Sequence, residues 1–261
     1  MYTAAELFSW VGSWLLVMPR IVGLFLVLPF TTRTFLPGLA RTALILSMSV
    51  ILVPVMVSQS AEIPQSWLDI SIILVKEVFL GFVLGFIFSI PFWVMDSVGA
   101  VIDRQRGVMS GSIQSQFIEG ESTILGKFLS FFTVVLLFAT GGFYILFETF
   151  LFSYQAWPIM SYYPTINIEM SYYFLSILDA LMYSIMLIAG PVLIVIFLVD
   201  LGFGFLNRSV PQINVFILSL PVKGIASILI LTFYITRIAE HLKELFTEYP
   251  ASMHGLENLF R

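Results

Sequence analysis

Asp200, Asn207, Arg208, Gln212, Asn214 and Lys223 fall within one short stretch, residues 200–224, that lies between two long apolar runs. Polar and charged groups set that deep in apolar sequence are costly unless something satisfies them, so such a cluster is a candidate functional site. A second concentration spans Asp96 to Lys127. It holds Asp96, Asp103, Arg104, Gln105 and Arg106, then Gly107 and a small, polar run through Ser115, then Glu119 and Glu121. A third is the adjacent pair Lys76 and Glu77, inside another apolar run.

None of these patterns is a catalytic set. The chain has no cysteine, which excludes disulfides, thiolate metal sites and thiol catalysis. Its two histidines, His241 and His254, both lie in the polar C-terminal stretch and form no metal-ligand pattern. A serine nucleophile would need a base, and no other histidine exists. No phosphate-cradling Gly-x-x-x-x-Gly-Lys-Ser/Thr loop occurs, and Gly202-Phe-Gly204 follows no strand, so it is not a nucleotide fingerprint. No two acids share a spacing that suggests acid–base work. The expectation is a protein without cofactor or metal that is not an enzyme.

The elements that must position these residues are apolar. Of 261 residues, 59% are hydrophobic and 11% charged, and mean hydropathy is +1.00. A soluble domain has about 25% charged residues, so this chain is read as an integral membrane protein. The net charge of −4 says little, and the absence of a basic stripe argues against nucleic acid. Six apolar runs, roughly 7–30, 36–57, 67–95, 126–153, 171–199 and 212–238, each approach or exceed the ~20 residues that span a bilayer core. No alternating segment is long enough for a barrel strand, so the fold class is all-α: membrane-associated helical hairpins in one hydrophobic unit. The first run lacks a basic leader and a cleavage site, and is read as a retained segment.

Within the runs, Pro19-Arg20 interrupts the first, and Arg20 either snorkels from a kinked helix or faces a partner or wet cavity. Arg33 and Arg41 in one linker, and Glu62 in the next, follow the charge asymmetry of opposite membrane sides. Glu77, Gly81 and Gly85 recur every four residues on one helical face. Gly81 and Gly85 suit close helix packing, with Glu77 as a charge inside a helix–helix interface; the other reading makes Lys76 and Glu77 a helix end outside the bilayer. Gly141-Gly142 reads as a break between two half-helices, and Gly190-Pro191 as a second break. Residues 107–115 read equally as a pore constriction or plug and as an ordinary loop. Asp96-x6-Asp103-Arg104 and Asp200-x6-Asn207-Arg208 echo one another, which suggests two related halves. From Arg237 the chain reads as an amphipathic helix end, with Pro250 as its stop.

The stretch Gly204-Phe-Leu-Asn-Arg208, Pro211-Gln-Ile-Asn-Val-Phe216 and Leu220-Pro-Val-Lys-Gly224 resembles the type III secretion export-apparatus T component, a relative of the flagellar biosynthesis R component. Glu77-x3-Gly81-x3-Gly85 and Asp96-x2-Gly99-x3-Asp103-x-Gln105-Arg106-Gly107 match the same family. The form Ile-Asp-Arg-Gln-Arg-Gly at 102–107 looks more like the injectisome branch than the flagellar one.

The resemblance implies a structural and gating subunit of a hetero-oligomeric export gate in the bacterial inner membrane. Its partners would be R-type and S-type subunits and the switch-type export component, with membrane lipid around it. Its cargo would be unfolded secreted proteins. The pore plug would be the loop of Gly107, Val108, Met109, Ser110, Gly111, Ser112, Ile113, Gln114 and Phe117. Lys76, Glu77, Asp96, Asp103, Arg104, Arg106, Asp200, Asn207, Arg208, Gln212, Asn214 and Lys223, and also Asp179, would make inter-subunit polar contacts. The whole chain, 1–261, would be one export-gate domain: N-terminal hairpins over 1–95, a polar plug region over 96–127, C-terminal hairpins over 128–249 and a mobile tail over 250–261. The alternative is a self-contained secondary transporter, with a midplane solute site framed by the breaks at Gly141-Gly142 and Gly190-Pro191.

Overall fold

The computed structural model describes residues 4–32, 35–58, 66–107, 123–161, 168–209 and 214–256. All of its long elements are helices: α1 (Ala4–Val27), α2 (Gly38–Ser58), α3 (Trp67–Arg106), α4 (Ile124–Ala139), α5 (Gly142–Ala156), α6 (Ile168–Ser209) and α7 (Val215–Leu256). A 3-10 turn, Pro29–Thr31, follows α1. No strand occurs among the described residues.

Six apolar runs therefore become seven helices, because the fourth run breaks. Gly141 sits at φ +77°, a left-handed backbone that glycine adopts without the clash a Cβ would cause. Thr140 closes α4 just before it, its N–H donating to Leu136 O at 2.9 Å. The other expected break does not occur: α6 runs unbroken through Gly190 and Pro191. Proline also lies inside α1 at Pro19, α2 at Pro54 and α3 at Pro91. A proline deletes one backbone donor, and in apolar helices the neighbouring elements and small local adjustments absorb that loss. The same holds at Pro250, which does not stop α7; the helix continues to Leu256.

Among the described residues, three helices are long and apolar enough to cross a membrane: α3, α6 over Tyr172–Ser209, and α7 over Ile217–Thr247. They become four if α4 and α5 count as one broken span. Scattered hydroxyls are tolerated in these helices because they bond back to their own helix. Thr133 donates to Leu129 O, Thr149 to Ile145 O and Thr232 to Ile228 O, each at 2.8 Å.

The chain groups into two compact units. One comprises Met1–Ser89, Phe143–Tyr172 and Glu248–Arg261; the other comprises Ile90–Gly142 and Tyr173–Thr247. In the first unit the buried apolar residues include Val17, Ile21, Leu24, Ile73, Leu80, Leu84 and Phe150. Trp14 Nε1 donates to Ser49 Oγ at 2.7 Å and so joins α1 to α2. In the second unit the buried residues include Val94, Met95, Val98, Leu129, Leu137, Ile188, Ile196, Ile238 and Leu242. Phe92 meets Phe246 edge to face, ring centroids 6.0 Å apart. The most apolar windows of α6 and α7 are only 22% buried, against 44% in α3. Their outer faces, with Leu175, Met182, Met186, Phe197, Phe205, Ile225 and Phe233 exposed, are left for lipid or other chains.

Candidate functional site

In the first unit, α1, α3 and α5 converge on a buried charge cluster. Arg20 and Glu77 are both fully buried. Arg20 Nε donates to Glu77 Oε2 at 2.6 Å, and Nη2 donates to Oε1 at 3.0 Å. This two-pronged pairing is the geometry in which a guanidinium and a carboxylate bind most strongly. Two further donors are used: Nη1 meets Ser153 Oγ at 3.0 Å and Nη2 meets Trp157 O at 2.9 Å. The guanidinium lies 4.0 Å from the centre of the Tyr154 ring, and Tyr154 OH donates to Val17 O at 3.1 Å. Lys76 Nζ is 3.0 Å from Glu77 Oε1. It also donates to Ile159 O at 2.7 Å, Ser161 O at 2.8 Å and Pro158 O at 3.3 Å. Buried charges persist only when paired and hydrogen-bonded, and Arg20 and Glu77 are both.

The cluster overturns two readings. Arg20 neither snorkels nor opens onto a wet cavity, because its donors are spent on Glu77, Ser153 and Trp157. Lys76 and Glu77 do not mark a helix end, because they lie well inside the 40-residue α3. Both were expected to contact other subunits; within this chain they have partners of their own.

The four-residue face of α3 continues past Glu77. A Cβ on Gly81 would run into the backbone carbonyl of Arg20, and one on Gly85 would come within 2.7 Å of Leu24 O. Gly23 of α1 answers from the other side, where a Cβ would overlap Val78 O. Ser89 Oγ ends the stripe, donating to Gly85 O at 2.6 Å and approaching Val27 O at 3.2 Å. Glycine on both helices lets the backbones touch and brings Arg20 within reach of Glu77.

In the second unit, Asp103 is fully buried near the end of α3. Its Oδ2 accepts from Leu125 N, in the first turn of α4, at 2.8 Å. Its Oδ1 pairs with Arg106, whose Nη1 donates to Ser227 Oγ of α7 at 3.3 Å. Gly99 permits the approach, since a Cβ there would overlap the backbone of Gly126. Asp96 Oδ1 is buried beside Gly126 and has no hydrogen-bond partner among the described residues. Arg104 is exposed.

At the far end of α6, Asp200 pairs with Lys223 of α7. The lysine side chain is 7% exposed and the aspartate 36%. Beside this pair a cavity of about 420 Å³ is lined by Asp200, Phe203, Gly204, Asn207, Asn214 and Ser219, among others. Asn207 and Arg208 are exposed, and Asn214 Oδ1 lies 3.4 Å from the Ile217 N–H. Asp179 is exposed on α6. His241, in α7, has Ser184 Oγ at 3.0 Å and Glu244 Oε2 at 3.5 Å. Gly107 closes α3 at φ +77°. Val108, Met109, Ser110, Gly111, Ser112, Ile113, Gln114, Phe117 and Gln212 lie outside the described residues.

Sequence reasoning singled out Glu77, Asp103, Asp200 and Lys223 but not what holds them. Arg20 and Glu77 are 57 positions apart, and no local pattern links them. Ser153, the Trp157 carbonyl, Leu125 N and Ser227 are ordinary groups until the helices meet. No cluster of three or more metal-ligating side chains occurs among the described residues. Arg20, Glu77 and Asp103 are paired with other charges and with polar or backbone groups of neighbouring helices, an arrangement that fixes helix positions.

The family model for bacterial export proteins, family 1, matches residues 11–249. Yop proteins translocation protein T of Yersinia pestis is 27% identical over 230 residues, 88% of each chain. Secretion system apparatus protein SsaT of Salmonella typhimurium is 31% identical over 234 residues, 85% of this chain and 87% of that one. Flagellar biosynthetic protein FliR of Bacillus subtilis is 24% identical over 246 residues, 94% of each.

Proposed function

Because this chain belongs to family 1 of the bacterial export proteins, we propose that it is the T-type structural and gating subunit of a type III secretion export gate. The observation that carries the reading is the match over nearly the whole chain, joined to relatives whose names are those of secretion and translocation apparatus. Identities of 27% and 31% to secretion-system proteins, against 24% to a flagellar one, favour the injectisome branch. The transporter alternative loses one side of its frame, since α6 is continuous at Gly190-Pro191.

The gate sits in the bacterial inner membrane with R-type and S-type partners and the switch-type component nearby, and it passes unfolded secreted proteins. Helix lengths support an assembly that is not a simple set of spans. α3 has 40 residues, and α6 and α7 have 42 each. At 1.5 Å per residue these helices are about 60 Å long, twice the ~30 Å hydrocarbon core. The exposed apolar faces of α6 and α7 are the surfaces that partner subunits or lipid cover. The loop from Gly107 to Phe117 is the plug, and the subunit works by packing and gating rather than as an enzyme.

The test is native mass spectrometry of the tagged chain, purified with and without co-expressed R-type and S-type subunits. One copy held in a large hetero-oligomer is the expected result. A stable monomer or homodimer that ignores those partners would refute the reading.

A further inference from the structure

We propose that the cavity between the end of α6 and the start of α7 is a socket for an extended segment of another export-gate subunit, held there through its backbone amides. The proposal deepens the export-gate reading and rests on it. It concerns the space of about 420 Å³ lined by Asp200, Phe203, Gly204 and Asn207 of α6 and by Asn214 and Ser219 at the start of α7.

The lining is polar where a lipid-facing surface should be apolar. Both helices have stretches apolar enough to cross a membrane, and polar groups at such depth are costly unless something satisfies them. Hydrocarbon offers neither donor nor acceptor, so an acyl chain is a poor occupant. The charge is already balanced, because Asp200 pairs with Lys223, and little is left to attract an ion. What stays open is hydrogen-bonding capacity. Asn207 is exposed and makes no hydrogen bond among the described residues. Asn214 turns Oδ1 toward the Ile217 N–H at 3.4 Å, which leaves its NH2 donors. A side-chain amide carries donors and an acceptor in one plane, the set that a peptide unit can answer. Gly204 adds no side chain to the cavity, and a Cβ there would meet nothing within 4 Å. Such a position leaves room for another backbone to come close.

The form of the occupant follows from this lining. A helix spends its backbone groups on itself except at its ends, so an extended or irregular segment is what offers N–H and C=O groups to Asn207 and Asn214. Its source follows from the surroundings. Leu201, Phe205 and Leu206 of α6, and Ile217 and Leu218 of α7, are exposed in the same turns as the cavity. Obligate interfaces are rich in such apolar surface, and a polar centre within it fixes where the partner chain lies. A cargo chain in transit must let go, and five large apolar side chains would hold it back.

The experiment reads the cavity through a thiol. The chain has no cysteine, so Gly204→Cys places its only thiol in the cavity. Maleimide labelling of this chain is timed in the free protein, in the gate assembled with R-type, S-type and switch-type subunits, and in that gate holding a stalled cargo protein. Labelling should slow about tenfold or more on assembly, with or without cargo, and Asn207→Ala should speed it about fivefold in the assembled gate, the effect of one lost hydrogen bond. If the wild-type chain does not assemble with these partners, the export-gate reading fails and the socket with it. If the gate assembles but the thiol labels at the free-chain rate, the export-gate reading stands and the socket is wrong. Protection that appears only with stalled cargo assigns the cavity to cargo and overturns the proposal. Protection that Asn207→Ala leaves unchanged also overturns it, because apolar cover alone would then account for the effect. Should Gly204→Cys not assemble, Asn207→Cys carries the thiol at the same cavity, and free-chain labelling there in the assembled gate overturns the proposal equally.

Discussion

Removing Glu77 should destabilise this chain itself before it disturbs any partner. Glu77→Leu leaves Arg20 fully buried with only Ser153 Oγ, the Trp157 carbonyl and the Tyr154 ring around it, and none of these carries a counter-charge. Lys76 loses the same carboxylate but keeps three backbone carbonyls. Breaking a buried pair from one side costs about 3–5 kcal/mol, because it strands a desolvated charge. A domain is stable by about 5–15 kcal/mol in all, so the single change consumes a large share of the margin. Arg20→Leu should cost a similar amount by stranding Glu77. The double variant Arg20→Leu/Glu77→Leu replaces the pair with apolar groups of similar reach, and such replacements are often close to neutral. The coupling between the two sites should therefore exceed about 2 kcal/mol. Reversible unfolding of the purified chain in mixed micelles, followed by tryptophan emission, measures all three variants. Single costs below about 1 kcal/mol, or costs that add to within about 0.5 kcal/mol in the double variant, would refute the reasoning. That outcome would return Glu77 to the role of a contact made outside the chain.

Two further expectations use the same assay. Gly81→Ala should cost about 1–3 kcal/mol, the range for overpacking a filled site, because the added methyl meets the Arg20 carbonyl rather than a side chain that can swing away; a neutral result would show that α1 and α3 separate freely. Asp200 and Lys223 should show a weaker coupling than Arg20 and Glu77, because Lys223 is buried but its partner Asp200 is 36% exposed and screened by water; a coupling as large as that of Arg20 and Glu77 would contradict this ranking.

The positions of the helices were largely legible, because apolar runs of sufficient length have few alternatives to helix. The break at Gly141-Gly142 could be read from composition, since a left-handed glycine is what such a doublet supplies. Gly190-Pro191 gave the same signal and meant nothing of the kind, because a proline's missing donor is a local loss that an apolar helix tolerates. The polar sites were legible as residues but not as contacts. The face through Glu77, Gly81 and Gly85 could be drawn from spacing alone. That it meets Arg20 and Leu24 of α1 could not, because the partner lies far away in the chain and proline beside Arg20 suggested a kink instead. Asp103 read as one charge among several near a helix end; its role as a cap for α4 depends on Gly99 and Gly126 meeting, a fact of tertiary approach.

Arg20 is held to α3 twice over, by its guanidinium on Glu77 and by its own carbonyl against Gly81. These two grips fail together under a single kind of motion. Sliding α1 along α3 by one turn, about 5.4 Å, would pull the ion pair apart and drive a side-chain-bearing residue into backbone. The seam behaves as a ratchet with its pawl engaged, free to move only as a block. A displacement along this seam is therefore disfavoured by an ion pair and by backbone contact at once.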